Sequence, residues 1–181
     1  MRKIVEVLTA VVAFAVTVAF GLTQVSCGIL ATWVMWTLLD GVIFIGMVRA
    51  GNKDAFLIAG YALGAAIVSI TLLSKGVWHW GTTEAICAAS CGFAIVAYWR
   101  SGPKEAVMFA VAGMLFAGWP TLFDAWLTPP IASWWYWTTV TICSAVTIAT
   151  AKSWAIENRL FPLASTIFNG LIAGRVLSAM M

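Results

Sequence analysis

Long apolar runs alternate along this chain with short polar or Gly/Pro-containing turns. A helix needs about 20 apolar residues to cross about 30 Å of hydrocarbon, and seven runs approach that length. The runs are roughly twice as long as a membrane β-strand and show no strict alternation, so they predict helices. The predicted helices are Ile4 to Leu22, Ile29 to Val48, Ala55 to Leu73, Glu84 to Trp99, Glu105 to Phe123, Trp134 to Ala151 and Leu160 to Ala179.

The composition of the chain supports membrane insertion. The 181 residues are 62% hydrophobic and only 9% charged, which leaves too little polar surface to cover a soluble globule. We therefore expect an all-α integral membrane protein of about seven transmembrane helices, forming one domain that is surrounded by the lipid bilayer. The net charge of +3 is small and indicates no nucleic-acid partner.

Lysine and arginine residues between the helices predict the orientation in the membrane. Basic residues in short loops are held on the cytoplasmic side. A cytoplasmic N-terminus leaves only Lys75 and Arg175 outside, which predicts a multi-pass protein of the cell (inner) membrane with its C-terminus outside. The same sorting favours an odd number of helices. The basic residues predicted to lie inside are Arg2, Lys3, Arg49, Lys53, Arg100, Lys104, Lys152 and Arg159.

Several known membrane chemistries lack their residues in this sequence. The predicted seventh helix has no lysine for a retinal Schiff base, and neither a voltage-sensor arginine repeat nor a potassium-channel filter sequence occurs. The cysteine spacing and the single histidine argue against a zinc site or a bis-histidine haem. No nucleophile elbow, metalloprotease motif or phosphate loop is present. We therefore expect no enzyme activity, no metal and no cofactor.

The second and sixth helices carry similar short sequences. Residues 32–37 read Thr-Trp-Val-Met-Trp-Thr and residues 133–138 read Ser-Trp-Trp-Tyr-Trp-Thr, so both have a small hydroxyl residue, Trp-x-x-Trp and Thr. Internal duplication is common in small transporters. This order predicts two parallel three-helix repeats, at about residues 4–74 and 105–180, joined by a linker helix at about 83–100.

Glycine pairs also recur in the two halves. Gly60-x-x-x-Gly64 in the third helix is echoed by Gly170-x-x-x-Gly174 in the seventh. Small residues at this spacing let membrane helices pack closely. We expect each pair to lie at a helix contact within the bundle, and association of two copies through these glycines, giving a homo-oligomer, is the alternative.

The layout of three helices, a linker and three helices, with tryptophans on the second helix of each repeat, resembles the superfamily of SWEET sugar transporters, PQ-loop proteins and Pnu-type vitamin transporters. Trp33-x-x-Trp36-x-x-x-Asp40 is similar to the Trp-x-x-Trp-x-x-x-Asn pattern of the nicotinamide riboside transporters. In that family the aromatic and amide side chains line the substrate pocket. This chain has Asp40 where that family has asparagine, and its predicted N-terminus is inside whereas that of SWEET proteins is outside. The resemblance implies that three groups of residues line the substrate pocket. The motif assigns this role to Trp33, Trp36 and Asp40, and the repeat assigns it to Trp134, Trp137 and Thr141. Asn169 is similar in position to an asparagine of the SWEET pocket.

Residue spacing on the second helix indicates a site without reference to any family. Trp33, Trp36 and Asp40 are spaced i, i+3 and i+7, so they share one helix face. Asp40 lies close to the middle of its apolar run, where an ionised carboxylate costs about 2.5 to 3.5 kcal/mol. We expect it to face the bundle interior or a wet cavity. It either binds a polar or cationic solute or a proton, beside the tryptophans, or it forms a structural hydrogen bond to a neighbouring helix.

Two functions are therefore open. The first is transport or facilitated passage of a small polar solute, such as a vitamin, nucleoside or sugar, through a central site between the repeats. The second is a non-transporting membrane subunit or scaffold that packs against partner helices. Asp124, near the outer end of the fifth helix, is expected at the lipid headgroups, with a role as a substrate gate as the alternative. A cavity of roughly 300 to 1,000 Å³ lined by the predicted residues would favour transport.

Overall fold

The computed structural model of the chain describes residues 1–23, 30–52, 55–75, 81–151 and 154–181. Within these ranges the regular structure is helical and no strand occurs, so the prediction of an all-α protein is confirmed. The helices are α1 (Arg2–Thr23), α2 (Leu30–Arg49), α3 (Phe56–Ser74), α4 (Thr82–Ser101), α5 (Pro103–Leu127), α6 (Trp134–Thr150) and α7 (Ile156–Ser178), with a short 3₁₀ turn at Ile131–Ser133 before α6.

Five of the described helices, α1, α2, α3, α5 and α7, are long and apolar enough to cross a membrane. Their outward faces suit hydrocarbon, because Leu63, Ile70 and Phe116 are each more than 60% exposed. Some hydroxyl groups lie inside instead, since Ser144 and Ser165 are almost completely buried. Water-soluble monomers rarely expose large contiguous apolar surfaces. The arrangement of an apolar exterior around a partly polar interior therefore fits a membrane protein.

Helix directions follow from the order of contacts along each pair of helices. Helices α1 and α3 run in the same direction, and so do α5 and α7. In each pair, the contact that comes first along one helix also comes first along the other. Helix α5 runs opposite to α2, and α7 runs opposite to α6. The contacts that set these directions are Ala10–Gly60, Gly21–Val68, Gly118–Phe168 and Trp126–Arg175 for the parallel pairs, and Leu39–Gly113, Gly46–Val107, Thr141–Gly170 and Ser144–Ser165 for the antiparallel pairs.

The packing of the helices is similar in the first and second halves of the chain. Helix α3 packs against both α1 and α2, and α7 packs against both α5 and α6. Between the halves, α1 packs against α6 and α2 packs against α5. Helix α4 packs against α2 and α5, outside these two groups of three. The third helix of each group thus lies between the other two.

One end of the bundle, called the basic end below, carries most of the described basic side chains. The starts of α1, α5 and α7 and the ends of α2 and α4 lie there. Arg49 at the end of α2, for example, lies over the ring of Tyr98 near the end of α4, 5.2 Å from its centroid. Lys75 and Arg175 lie at the opposite end, while Lys53 and Lys152 are outside the described residues. The residues at the basic end are Arg2, Lys3, Arg49, Arg100, Lys104 and Arg159.

The two glycine pairs have different surroundings despite their similar spacing. A Cβ atom on Gly60 would lie 2.5 Å from the carbonyl oxygen of Ala10, so the close approach of α3 to α1 depends on this glycine. Gly170 makes only an ordinary contact with Thr141, and nothing lies within 4 Å of the corresponding position on Gly174. Close helix packing through glycine is therefore a property of α3 and not of α7.

Candidate functional site

A small cavity of about 50 Å³ lies where the two halves of the bundle meet. The first half contributes Trp36 and Asp40 from α2 and Tyr61 from α3. The second half contributes Tyr136 from α6, Met114 from α5, and four residues of α7. The α7 residues are Phe161, Ser165, Phe168 and Asn169.

Asp40 places a carboxyl group in the wall of this cavity. It lies near the middle of α2 and is only 5% exposed. Its Oδ1 atom is buried and has no hydrogen-bond partner within the described part of the chain, and the same is true of Nε1 of Trp36, one turn earlier. Buried polar atoms nearly always have a partner, because leaving one unpaired costs about 1 to 3 kcal/mol. Both residues line the cavity, and each has a buried polar atom whose hydrogen-bonding capacity is not used by the described residues.

A chain of hydrogen bonds runs along the other side of the cavity. Asn169 Nδ2 donates to the carbonyl and the Oγ of Ser165, at 2.8 and 2.9 Å. The Oγ atoms of Ser165 and Ser144 are 2.9 Å apart. The hydroxyl of Tyr61 donates to the carbonyl of Val140 at 3.3 Å and lies 3.4 Å from Ser144 Oγ. Tyr61 belongs to the first half and the other residues to the second, so this chain connects the two halves.

Aromatic side chains pack on one side of the cavity. This side faces away from the basic end. The rings of Phe20 and Tyr136 stack with centroids 4.1 Å apart. Trp33 and Trp137 lie against Phe20, at 6.1 and 5.7 Å between centroids. These residues, Phe20, Trp33, Tyr136 and Trp137, are called the aromatic cluster below. The cluster separates the cavity from the starts of α2 and α6.

On the side toward the basic end, the cavity is bordered by one aromatic pair. The rings of Tyr61 and Phe161 meet edge to face, with centroids 5.8 Å apart. Phe161 is followed in α7 by Pro162, whose carbonyl accepts a hydrogen bond from Oγ1 of Thr166 at 2.7 Å. Aromatic side chains therefore lie between the cavity and both ends of the bundle.

Three of the predicted site residues line the cavity together: Trp36, Asp40 and Asn169. Trp33 and Trp137 are buried in the aromatic cluster, only 2% and 3% exposed, and do not line the cavity. Nε1 of Trp137 is buried without a hydrogen-bond partner among the described residues. The two tryptophans therefore pack beside the site and close one side of it.

The other predicted residues lie away from the cavity. Thr141 Oγ1 donates to the carbonyl of Trp137 at 2.7 Å, within its own helix. Trp134 is 44% exposed at the start of α6. Asp124 is exposed near the end of α5, opposite the basic end, and its backbone carbonyl accepts hydrogen bonds from Thr128. Asp124 and the cavity are thus separate features of this structure.

Several cavity residues were not among those predicted. Ser165 could have been found, because it lies four residues before Asn169 and therefore on the same helix face. Tyr136 lies inside the Trp-x-x-Trp segment of α6, so its position next to two predicted site residues is the signal that could have identified it. Tyr61 carries no sequence signal of its own, since its position depends on how α3 meets α6.

Among the described residues, no group of three His, Cys, Asp or Glu side chains comes together that could hold a metal ion. Comparisons of the chain with protein-family models, curated proteins and solved structures find no match. The geometry of the cavity is therefore the basis for assigning a function.

Proposed function

We propose that this protein is a membrane transporter or facilitator of a small polar solute, and that the central cavity is its binding site. The observation that carries this proposal is Asp40, which lines a cavity at the meeting of the two halves and has a buried carboxyl oxygen without a hydrogen-bond partner among the described residues. A carboxylate in the middle of an apolar helix costs about 2.5 to 3.5 kcal/mol, and such residues mark solute or proton pathways in membrane proteins.

The packing of the helices supports two parallel repeats joined by α4, the 3+1+3 layout of the SWEET and Pnu-type superfamily that the sequence resembles. In both halves the third helix packs against the first two. The contacts between halves are also equivalent, since the first helix of each half packs against the second helix of the other. Transporters built from repeats bind their substrates where the repeats meet. The cavity has this position.

The membrane topology we propose has seven spans, with the N-terminus in the cytoplasm and the C-terminus outside. It is supported by the charges at the basic end, because basic residues are retained on the cytoplasmic side. In this topology α4 and α6 are the remaining two spans, although α6 has only 17 residues. A span of this length is at the lower limit for crossing the hydrocarbon.

Transport by this architecture requires one half to rock against the other. The hydrogen bonds of Tyr61 to α6 and the aromatic cluster lie on the two sides of the cavity, and each joins the halves. Opening either side in turn gives the solute access from one face of the membrane at a time. The cavity of about 50 Å³ leaves little free space in the described form, so the proposed movement must enlarge it to admit a larger solute.

One observation favours the second function, a membrane subunit or scaffold without transport. Ligand pockets are commonly about 300 to 1,000 Å³, and this cavity is much smaller. Trp33 and Trp137 pack against Phe20 and not around an empty space. In this case Asp40 would be a structural residue, and the tryptophans would stabilise the bundle.

The experiment that separates the two functions is a thermal-shift screen of the purified protein against sugars, nucleosides, pyridine vitamins and amines. A ligand that binds only the folded state raises its melting temperature by mass action. For a transporter, one class of compound stabilises the wild type and the Asp124→Asn control, but not Asp40→Asn. If no compound stabilises the wild type, and Asp40→Asn changes only the melting temperature, the scaffold function replaces the transporter.

A further inference from the structure

The walls of the cavity have an unusual balance of charge. Among its described lining residues Asp40 is the one charged group, and no lysine, arginine or histidine side chain accompanies it. The remaining polar side chains there are neutral. An ionised carboxylate in this position has no counter-charge among the described residues that line the cavity, so either a bound cation balances it or a proton neutralises it.

We propose that the cavity binds a small organic cation carrying N–H donors, such as a short primary ammonium ion. This inference rests on the proposed transport function and names its substrate class. A cation next to Asp40 forms a hydrogen-bonded ion pair, and charge-assisted hydrogen bonds of this kind are stronger than those between neutral groups. The ligand thus supplies the partner that Oδ1 of Asp40 lacks.

The polar groups across the cavity also favour a donor. Asn169 Nδ2 donates to two acceptors of Ser165, its carbonyl oxygen and its Oγ. The amide oxygen is therefore the atom of Asn169 that can interact with a ligand, and it can only accept. With Asp40 on α2 and Asn169 on α7, an ammonium group meets acceptors on both halves of the bundle.

The aromatic walls suit a cation better than an anion. Trp36, Tyr136 and Phe168 all border the cavity. An aromatic face attracts a desolvated cation that comes within about 6 Å of the ring centroid. The same rings repel an anion approaching their faces, so the walls and Asp40 select the same sign of charge.

The size of the cavity limits the ligand. A benzene ring occupies an apolar cavity of about 150 Å³, and a water molecule takes about 30 Å³ of liquid volume. A cavity of about 50 Å³ therefore accepts only a few non-hydrogen atoms in the described form. Methylammonium and ethylammonium are in this range, whereas sugars, nucleosides and pyridine vitamins require the bundle to open.

Charge neutrality is also relevant to movement across the membrane. A lone carboxylate is expensive in hydrocarbon, and so is a lone ammonium ion. When the two are paired and hydrogen-bonded, the net charge of the site is zero and each charge offsets the cost of burying the other. The loaded cavity is therefore easier to close than a cavity that contains either charge alone.

The test is a binding measurement on the full-length protein in lipid nanodiscs, by calorimetry and thermal shift at constant ionic strength. The probes are methylammonium and ethylammonium, with ethanol and acetamide as neutral molecules of similar size and potassium as a cation without N–H donors. We expect the two ammonium ions to bind at least tenfold more tightly than the other probes. This comparison uses the wild type and does not depend on any variant folding.

Two pairs of variants locate the binding. Asp40→Asn should weaken ammonium binding at least tenfold, while Asp124→Asn, the same change at an exposed aspartate, should leave it unchanged. Trp36→Leu should weaken it about tenfold, the equivalent of about 1.4 kcal/mol, and the exposed Trp126→Leu should have no effect. Equal effects within either pair would overturn the assignment of the ammonium ion to this cavity.

Failure of the substrate class is distinguishable from failure of the transport proposal. If neutral solutes bind with a requirement for Asp40 and ammonium ions do not, the ammonium inference is wrong and the transport proposal stands. If potassium binds as tightly as methylammonium, the role given to N–H donors is wrong. If neither these probes nor the sugars, nucleosides and vitamins bind, both proposals fail.

Discussion

Replacing Gly60 by alanine tests a close contact between α3 and the backbone of α1. The added Cβ would lie 2.5 Å from the carbonyl oxygen of Ala10, whereas ordinary contacts begin near 3.4 Å. Helices α1 and α3 must therefore separate locally by about 0.9 Å, the difference between these two distances. The obstructing atom belongs to the backbone of α1, so no side-chain rotation can relieve the clash.

The expected cost follows from two opposing effects. Inserting a methyl group into a packed interface costs about 1 to 3 kcal/mol, while exchanging glycine for alanine within a helix gains about 0.8 to 1.0 kcal/mol. Gly174→Ala is the matched control, because nothing lies within 4 Å of its Cβ position. Gly174→Ala therefore gains helix propensity without the cost of inserting a methyl group into a packed interface. The two variants should therefore differ in unfolding free energy by about 1 to 3 kcal/mol, with Gly60→Ala the less stable.

The assay is thermal unfolding of both variants and the wild type, purified in the same detergent. For proteins of about 150 to 250 residues, 1 kcal/mol changes the melting temperature by about 2 to 4 °C. Gly60→Ala should thus melt roughly 2 to 12 °C below Gly174→Ala. If Gly60→Ala melts at or above the temperature of the control, α1 and α3 do not approach each other as described.

Three further predictions concern the cavity and the topology. Gly118→Ala would place a Cβ atom 2.5 Å from Cζ of Phe168, so the ring must move and the thermal shift produced by a bound solute should fall while the protein remains folded. Tyr61→Phe removes a hydroxyl that joins the halves and should lower the free energy of unfolding by about 0.5 to 1.5 kcal/mol. In a transporter this variant should also change the rate of solute uptake. An unchanged rate would show that this hydrogen bond does not limit the movement of the two halves. A reporter active only outside the cell should be active when fused to the C-terminus and inactive at the N-terminus, and the reverse pattern would refute the proposed orientation.

The positions of the helices could be predicted because each coincides with a long apolar run. Their bounds could be predicted less well, as at α7, which begins at Ile156 and not at Leu160. The first turn of α7 includes Asn158 and Arg159, and polar residues at a helix end give no hydrophobic signal. A helix that begins among polar residues is therefore predicted to be shorter than it is.

The membership of the site could be predicted only in part. Trp33, Trp36 and Asp40 do lie on neighbouring parts of one face, with the two tryptophan rings 5.4 Å apart. Which of them lines a cavity depends on the rotation of α2 relative to α6 and α7, and spacing along one helix contains no information about that rotation. Tyr61 was missed for the same reason, because its hydroxyl meets a residue far away in the sequence.

Pro162 gives α7 a point at which it can bend. Proline has no N–H group to donate, so the ladder of helical hydrogen bonds lacks one member there. Kinks in membrane helices concentrate at such positions. A small tilt of the turn before Pro162 would carry Phe161 away from Tyr61, while Ser165 and Asn169 on the following turns keep their places. In the proposed transporter, opening the side of the cavity toward the basic end would then require movement of only one turn of one helix.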